Sequence, residues 1–422
     1  MRGALTVISV LFMTLGSFAQ EWSEKAHYDA YMKGDWKEVV RLGKEAKKAG
    51  ADYYYIRARN GYANFMLGKF FKAEKEFDKA LKFNSSDPFA KRYSYWSSIY
   101  AGNDATALVK TGRMSDSERD TIEIIKPKWM NSVSVVGGYR ASTTPTIVIN
   151  LPPDPGGNPV TSELDPPGSM PYLSVYLNHQ LGRRVTLNHA VNYLSLQRPG
   201  VITPMFTDTI NVWQVGYLAS LSMQVAKHTT VTPSFIMQYW DDETNKVYDL
   251  SATLALRQQI GNVHATLIGG YFQDTDTNKY MLGGSLTWYP LQNQKLFSVT
   301  SGGYNFMGDS PNPFFRQTIG GNPFKRFWLK SSFTWNNRVI SFEDVGLDFA
   351  NNSSDRLQWL WSLTPSYYPI DRFGISLTYS VESRRFYHVI QDIPETPVVE
   401  EEVEISELFN IHSFYLGLNY NF

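Results

Sequence analysis

The stretch Phe414-Tyr415-Leu416-Gly417-Leu418-Asn419-Tyr420-Asn421-Phe422 constrains the chain more than any other. In a strand, successive side chains point to opposite faces. Phe414, Leu416, Leu418, Tyr420 and Phe422 therefore share one face, while Tyr415, Gly417, Asn419 and Asn421 share the other. One face suits hydrocarbon and the other suits water. A bilayer accepts such a strand only if every backbone polar group is paired, which demands closure into a barrel without an edge. In water the same pattern would mark the edge of a soluble sandwich, so its recurrence along the chain decides between the two.

It recurs. From Trp129 onward the apolar period changes from 3.6 to 2. Strand patterns centre on 129–139, 173–177, 185–193, 213–221, 231–239, 248–256, 263–271, 282–288, 297–299, 327–335, 357–363 and 373–381, and Ile340 and Phe342 open another. With the terminal strand the count is about 14, an even number as bacterial barrels require. The intervening segments alternate between short connections, such as 182–184, 260–261 and 336–337, and longer ones, such as 140–169, 305–323 and 388–408. Barrels of this kind carry short periplasmic turns and longer outer loops. The alternation therefore predicts that both barrel ends, with Phe422, lie on the periplasmic side.

The chain before Trp129 reads differently. Arg2, the apolar run 4–18 and the small-x-small site Ser17-Phe18-Ala19 form an export signal over 1–19. Over 20–128 the texture is helical, and Gly34, Gly68 and Gly102 recur with a period of about 34 residues. An aromatic follows two positions after the first two glycines, at Trp36 and Phe70, and Asp87-Pro88 closes the second unit. The third copy, at Gly102-Asn103-Asp104, is degenerate. These residues resemble tetratricopeptide repeats, which implies an α-solenoid with a concave partner-binding surface and Gly34, Gly68 and Gly102 at points of close helix approach. Tyr53, Tyr54, Tyr55, Arg57 and Arg59 are candidates to line that surface, or else to form packing core. The expected whole is an α + β two-domain chain, a periplasmic solenoid followed by an antiparallel transmembrane barrel over 129–422.

Composition narrows the chemistry. The chain has no cysteine, which excludes disulfides, thiolate metal sites, a catalytic thiol and a lipidated cysteine. Its formal net charge is zero, so the overall balance does not call for nucleic acid. No phosphate loop or metal-binding histidine pair stands out, and no cofactor is expected. By parity Asp249, Arg257, Arg326, Lys330, Glu343, Glu382 and Arg384 face the lumen. Their mixed signs fit either a path for neutral polar solutes or a lumen laced with ion pairs. His189 falls on the apolar face beside Leu187 and Val191, opposite Leu177, without a serine or carboxylate to orient it. A lipid-modifying barrel enzyme is therefore a distant third reading.

The aromatic end at Phe422, with Phe414, Leu416, Leu418 and Tyr420 upstream, is similar to the C-terminal strands of bacterial outer-membrane proteins, which implies recognition by the barrel assembly machinery. The domain order resembles YaiO-family barrels and exopolysaccharide-export outer-membrane proteins, over repeats and barrel but without a shared pore motif. That resemblance implies a non-enzymatic component of envelope export or assembly in the outer membrane, with periplasmic proteins on the repeats and polysaccharide as cargo. The alternative is a closed barrel that anchors a periplasmic complex.

Overall fold

The computed structural model describes residues 22–122, 129–143, 147–151, 160–164, 170–203, 206–241, 246–273, 278–307, 310–335, 356–390 and 403–422. The expected export signal lies outside them. The chain divides into two compact units, residues up to Ala101 with Met114–Ile122, and Gly102–Arg113 with the remainder.

The helices are α1 (Glu24–Lys33), α2 (Trp36–Lys48), α3 (Tyr54–Met66), α4 (Phe70–Phe83), α5 (Pro88–Tyr100), α6 (Asp104–Thr111) and the short α7 (Asp116–Asp120). All but α6 belong to the first unit. Local chemistry sets several of the starts. Ser23, Asp35 and Asp87 accept bonds from backbone N–H groups of the first turns of α1, α2 and α5, and Pro88 stands where a missing N–H costs nothing. From α1 to α5 consecutive helices pack on one another, with Val39, Ala46, Ile56, Ala63, Ala73, Phe77 and Ala90 fully buried between them. Small residues alternate with large ones, so that Ala73, Ala80 and Ala90 leave room for Phe77, Tyr93 and Phe89.

The repeated glycines play a different part from the one expected. Gly34 and Gly102 hold φ of +73° and +74°, and φ of Gly68 is likewise positive. The three end α1, α5 and α3 in the left-handed conformation that a Cβ disfavours. The glycines at close helix approaches are Gly43, where an added Cβ would overlap the Asn60 side chain, and Gly61, where it would come within 3.0 Å of the Phe77 ring. The third hairpin is broken up, since its second helix, α6, groups with the barrel.

The second unit is a closed antiparallel barrel of 14 strands. It opens with β1 (Ser132–Ser142), and a separate hairpin of β2 (Ile147–Leu151) and β3 (Val160–Leu164) lies within the first long connection. The barrel continues with β4 (Met170–Gln180), β5 (Val185–Thr203), β6 (Phe206–Ala226), β7 (Thr229–Asp241), β8 (Lys246–Ile260), β9 (Val263–Gln273) and β10 (Asn278–Trp288). It is completed by β11 (Leu296–Met307), β12 (Ser310–Phe324), β13 (Phe327–Trp335), β14 (Arg356–Ile370), β15 (Phe373–Ile390) and β16 (Val403–Asn421). Closure comes from β1 pairing with β16, from Ser132 opposite Asn421 to Ser142 opposite Ile411. The predicted alternation holds in the closing strand: Phe414 is 55% exposed, whereas Tyr415 is 4% exposed.

The expected strand count is met with one exchange of membership. The segment expected as a long connection over 305–323 is strand β12, with Phe315 and Ile319 outward and Arg316 and Thr318 inward. Its prolines disguised it. Pro311 and Pro313 pair with β11 beyond the last β12–β13 partner, Phe315 opposite Trp335. Among the described residues β12 is therefore locally an edge there, where a missing N–H is tolerated. The strand expected at Ile340 and Phe342 lies outside the described residues, as does Glu343, and β13 pairs directly with β14. The short turn expected at 336–337 likewise lies outside the described residues; the short turn on this side is 325–326.

Candidate functional site

Parity settles which face a residue takes, and register settles which neighbours it meets there. Arg140 on β1 faces Ser413 on β16, which faces Ser380 on β15, two positions from Glu382. The guanidinium of Arg140 reaches over β16 to an oxygen of Glu382. On β15 itself Arg384 donates from Nε to the same oxygen at 3.1 Å and from a terminal nitrogen to the other at 3.3 Å. All three side chains are almost wholly buried. Charges so fully withdrawn from water persist only because they pair.

The cluster has an apolar companion. Met170, Tyr172, Leu194, Phe409, Ile411 and Tyr415 form a buried group on the inner faces of β4, β5 and β16, with Val136 of β1 packed against it. Tyr172 and Tyr415 meet edge to face at 5.6 Å, and the Tyr172 hydroxyl donates to Asn192 at 3.2 Å. Gly138 makes this possible, since a Cβ there would strike the Tyr415 ring and the Phe414 carbonyl. Farther round the wall Phe272, Met281 and Phe314 form a second inward apolar group. Both groups lie toward the end of the barrel that carries the long connections.

Of the residues predicted to face the lumen, Glu382 and Arg384 come together, and Arg140 joins them as a partner that the sequence did not single out. Asp249 is buried on β8, and Lys330 takes the inward position on β13, where Leu329 and Phe333 point outward. Arg257 bonds Nδ1 of the buried His264 across the β8–β9 pair. Arg326 does not face the lumen. It sits in the β12–β13 turn with φ of +65° and donates to the Pro369 carbonyl at 2.7 Å, because a tight turn breaks the parity that the strand would have imposed.

The outer wall is graded. Near the long-connection end Trp213, Tyr239, Tyr248, Tyr271, Tyr280, Tyr304 and Trp335 are exposed or partly exposed on the outer face, with ring centroids 5.1 Å apart for Trp213–Tyr239 and 4.8 Å for Tyr239–Tyr248. Near the short-turn end Trp129, Trp288, Phe324, Tyr367, Tyr420 and Phe422 are exposed. Between them lie Leu254, Leu256, Leu267, Leu282, Leu286 and Ile319, exposed and apolar.

His189 has a partner that sequence reasoning missed. Nε2 of His179 lies 2.9 Å from Nε2 of His189, and Nδ1 of His179 lies 3.0 Å from the Trp129 carbonyl. A carbonyl only accepts, so His179 carries its proton on Nδ1 and its Nε2 accepts from His189. The pair is diagonal across β4 and β5, since His189 stands opposite Leu177 and His179 opposite Leu187. Inspection of the directly opposed residue alone could not reveal it.

The chain matches no known family and no curated protein in sequence. Solved structures with a similar fold include a deletion mutant of the monoaromatic hydrocarbon channel TodX, which is 9% identical over 69% of this chain and 90% of its own, with a TM-score of 0.45. The outer membrane protein Omp33 of Acinetobacter baumannii is 10% identical over 70% of this chain and 99% of its own, with a TM-score of 0.35. A FadL homologue of Pseudomonas aeruginosa is 10% identical over 80% of this chain and 94% of its own, with a TM-score of 0.33.

In the helical unit, the residues expected to line a binding surface divide. Arg57 is buried, donating to both oxygens of Asp52 at 2.5 and 2.6 Å and to Glu76 at 2.8 Å, and Lys47 completes the network on Glu76 at 2.8 Å. Its guanidinium holds the Asp52 carboxyl below its usual range. Tyr55 is exposed, and Arg59 lies against it. The Arg59 guanidinium lies 4.9 Å from the ring centre of Tyr28. It lies 5.4 Å from the ring centre of Tyr55. Both rings are exposed, and the arrangement is that of a cation over aromatic faces.

Proposed function

We propose that this chain is an outer-membrane barrel, closed in its resting state, that anchors a partner-binding helical domain on the periplasmic side. The membrane reading rests on the exposed leucine band between two exposed aromatic rows, the pattern that a bilayer and its two interfaces require. The closed state rests on one observation: Arg140, Glu382 and Arg384 are buried together within the lumen. An open aqueous pore would hydrate such charges, whereas a packed layer must pair them. The partner surface is the exposed Tyr28 and Tyr55 rings with the largely buried Arg59 guanidinium against them, of the aromatic and arginine character common at interface centres. The consecutive packing of α1 to α5 supports the same role.

Within envelope assembly or export, this makes the chain a docking component without enzymatic activity. The bonds of the His179–His189 pair, to the Trp129 carbonyl and between the two rings, are those of a structural contact and support the docking reading. The export reading, with polysaccharide as cargo, requires the buried layer to move aside when polymer arrives. Planar-bilayer recording of the refolded full chain separates the two. We expect no steady ohmic conductance from the wild type, and its presence would overturn the closed state in favour of export.

A further inference from the structure

At the short-turn end, α6 meets the barrel rim. Thr106 on α6 accepts from the Gln224 amide at 2.9 Å, and the Gln224 backbone N–H donates to the Arg184 carbonyl at 2.8 Å in the neighbouring turn. Between helix and rim lies a cavity of about 150 Å³ whose polar lining is Lys110, Arg113, Arg184, Lys227, Thr106 and Gln224, the rest of its wall being aliphatic. Four of these lining residues are cationic and none is a carboxylate. The cations come from two sources, the end of α6 (Lys110, Arg113) and the β4–β5 and β6–β7 turns (Arg184, Lys227). Neither source would gather that charge alone.

A polyatomic anion seated in the cavity is attracted to each of the four cationic side chains that line it. The volume is well above the roughly 15 Å³ that one water needs, so it admits a polyatomic anion. Arginine forks and lysine ammoniums are the groups that recognise phosphate oxygens. The Gln224 side chain adds a polar group on the cavity wall. Its Oε1 is buried without a partner, and exchange of the amide ends lets Thr106 donate to that oxygen and frees the NH₂ as a donor. Val225, which also lines the cavity, is exposed.

We propose that this rim cavity is a binding site for a phosphate-bearing anion, held by Lys110, Arg113, Arg184 and Lys227. A phospholipid headgroup reaches it if the barrel spans a membrane, and that source rests on the function proposed above; free phosphate needs no membrane.

The test uses the refolded full chain in a phosphate-free detergent, with Arg184→Gln/Lys227→Gln as the variant. Both residues are exposed, so the fold should survive, and heat-modifiable electrophoretic mobility checks that it does. Inorganic phosphate is titrated calorimetrically, and retention of phosphatidylglycerol is read by native mass spectrometry. We expect at least one probe to bind, and the variant to weaken it about tenfold or more, with a shallower salt dependence. Binding of phosphatidylglycerol without phosphate assigns the lipid source, and binding of phosphate assigns the free anion. No binding of either probe, or equal binding by wild type and variant, overturns the site. Phosphate binding by a chain that fails to insert into liposomes would refute the membrane reading and leave the site standing.

Discussion

Glu382 serves two guanidiniums, whereas Arg140 serves one carboxylate in the same cluster, and this asymmetry makes an unequal prediction. Breaking a buried ion pair costs about 3–5 kcal/mol because the remaining charge is stranded. Both side chains are almost wholly buried, so Arg140 and Glu382 should approach that full cost rather than the near-zero worth of a surface pair. In Arg140→Met, Glu382 keeps Arg384, so the loss should sit at the lower end, about 3 kcal/mol. In Glu382→Leu both Arg140 and Arg384 lose the carboxylate, so the loss should reach about 5 kcal/mol or prevent folding. Equilibrium urea unfolding in lipid vesicles, followed by tryptophan fluorescence, gives both values. If both substitutions cost under about 1 kcal/mol, the charges are hydrated and the packed layer does not exist. If Arg140→Met costs as much as Glu382→Leu, the shared-carboxylate geometry is wrong.

Two further outcomes concern the helical unit. Gly68→Ala places a Cβ on a residue of positive φ, which should destabilise the melting transition seen by far-ultraviolet circular dichroism by about 1 kcal/mol or somewhat more. No change would mean that the left-handed cap is not formed. The Asp52 carboxyl is held below its usual range by Arg57, so its ionised form stabilises the unit above the unfolded carboxyl value, and that contribution is lost as pH falls through the lower folded value. Acid titration of thermal stability should therefore show a loss below the ordinary aspartate range that Asp52→Asn abolishes, and a variant with the wild-type pH profile would refute the coupling.

Face and period were legible in the sequence because they are local properties. A strand repeats every two residues, so Phe414 to Phe422 declared their outward face, and Glu382 and Arg384 declared their inward one, without knowledge of any neighbour. The equal spacing of Gly34, Gly68 and Gly102 was as visible, although its cause, a positive φ at each helix end, was mistaken for close packing. Local signals also misled where composition imitates a loop. Pro311 and Pro313 hid β12, and only the shorter reach of β13 shows why a strand tolerates them there.

What the sequence alone could not decide is height along the barrel. Parity says that Arg140 and Glu382 both face inward, but they stand far apart in the chain, and the stagger of β1 and β15 against β16 alone brings them to one level. The same holds for His179 and His189, which meet on a diagonal, and for the cations of α6 and the rim, which share a cavity only because the helix is docked there. Register is a property of closure: each strand's offset is set by its two neighbours, and the sum of offsets must return to the start around all 14 strands. No single stretch of sequence carries that sum, so the tertiary structure decides which inward residues become partners.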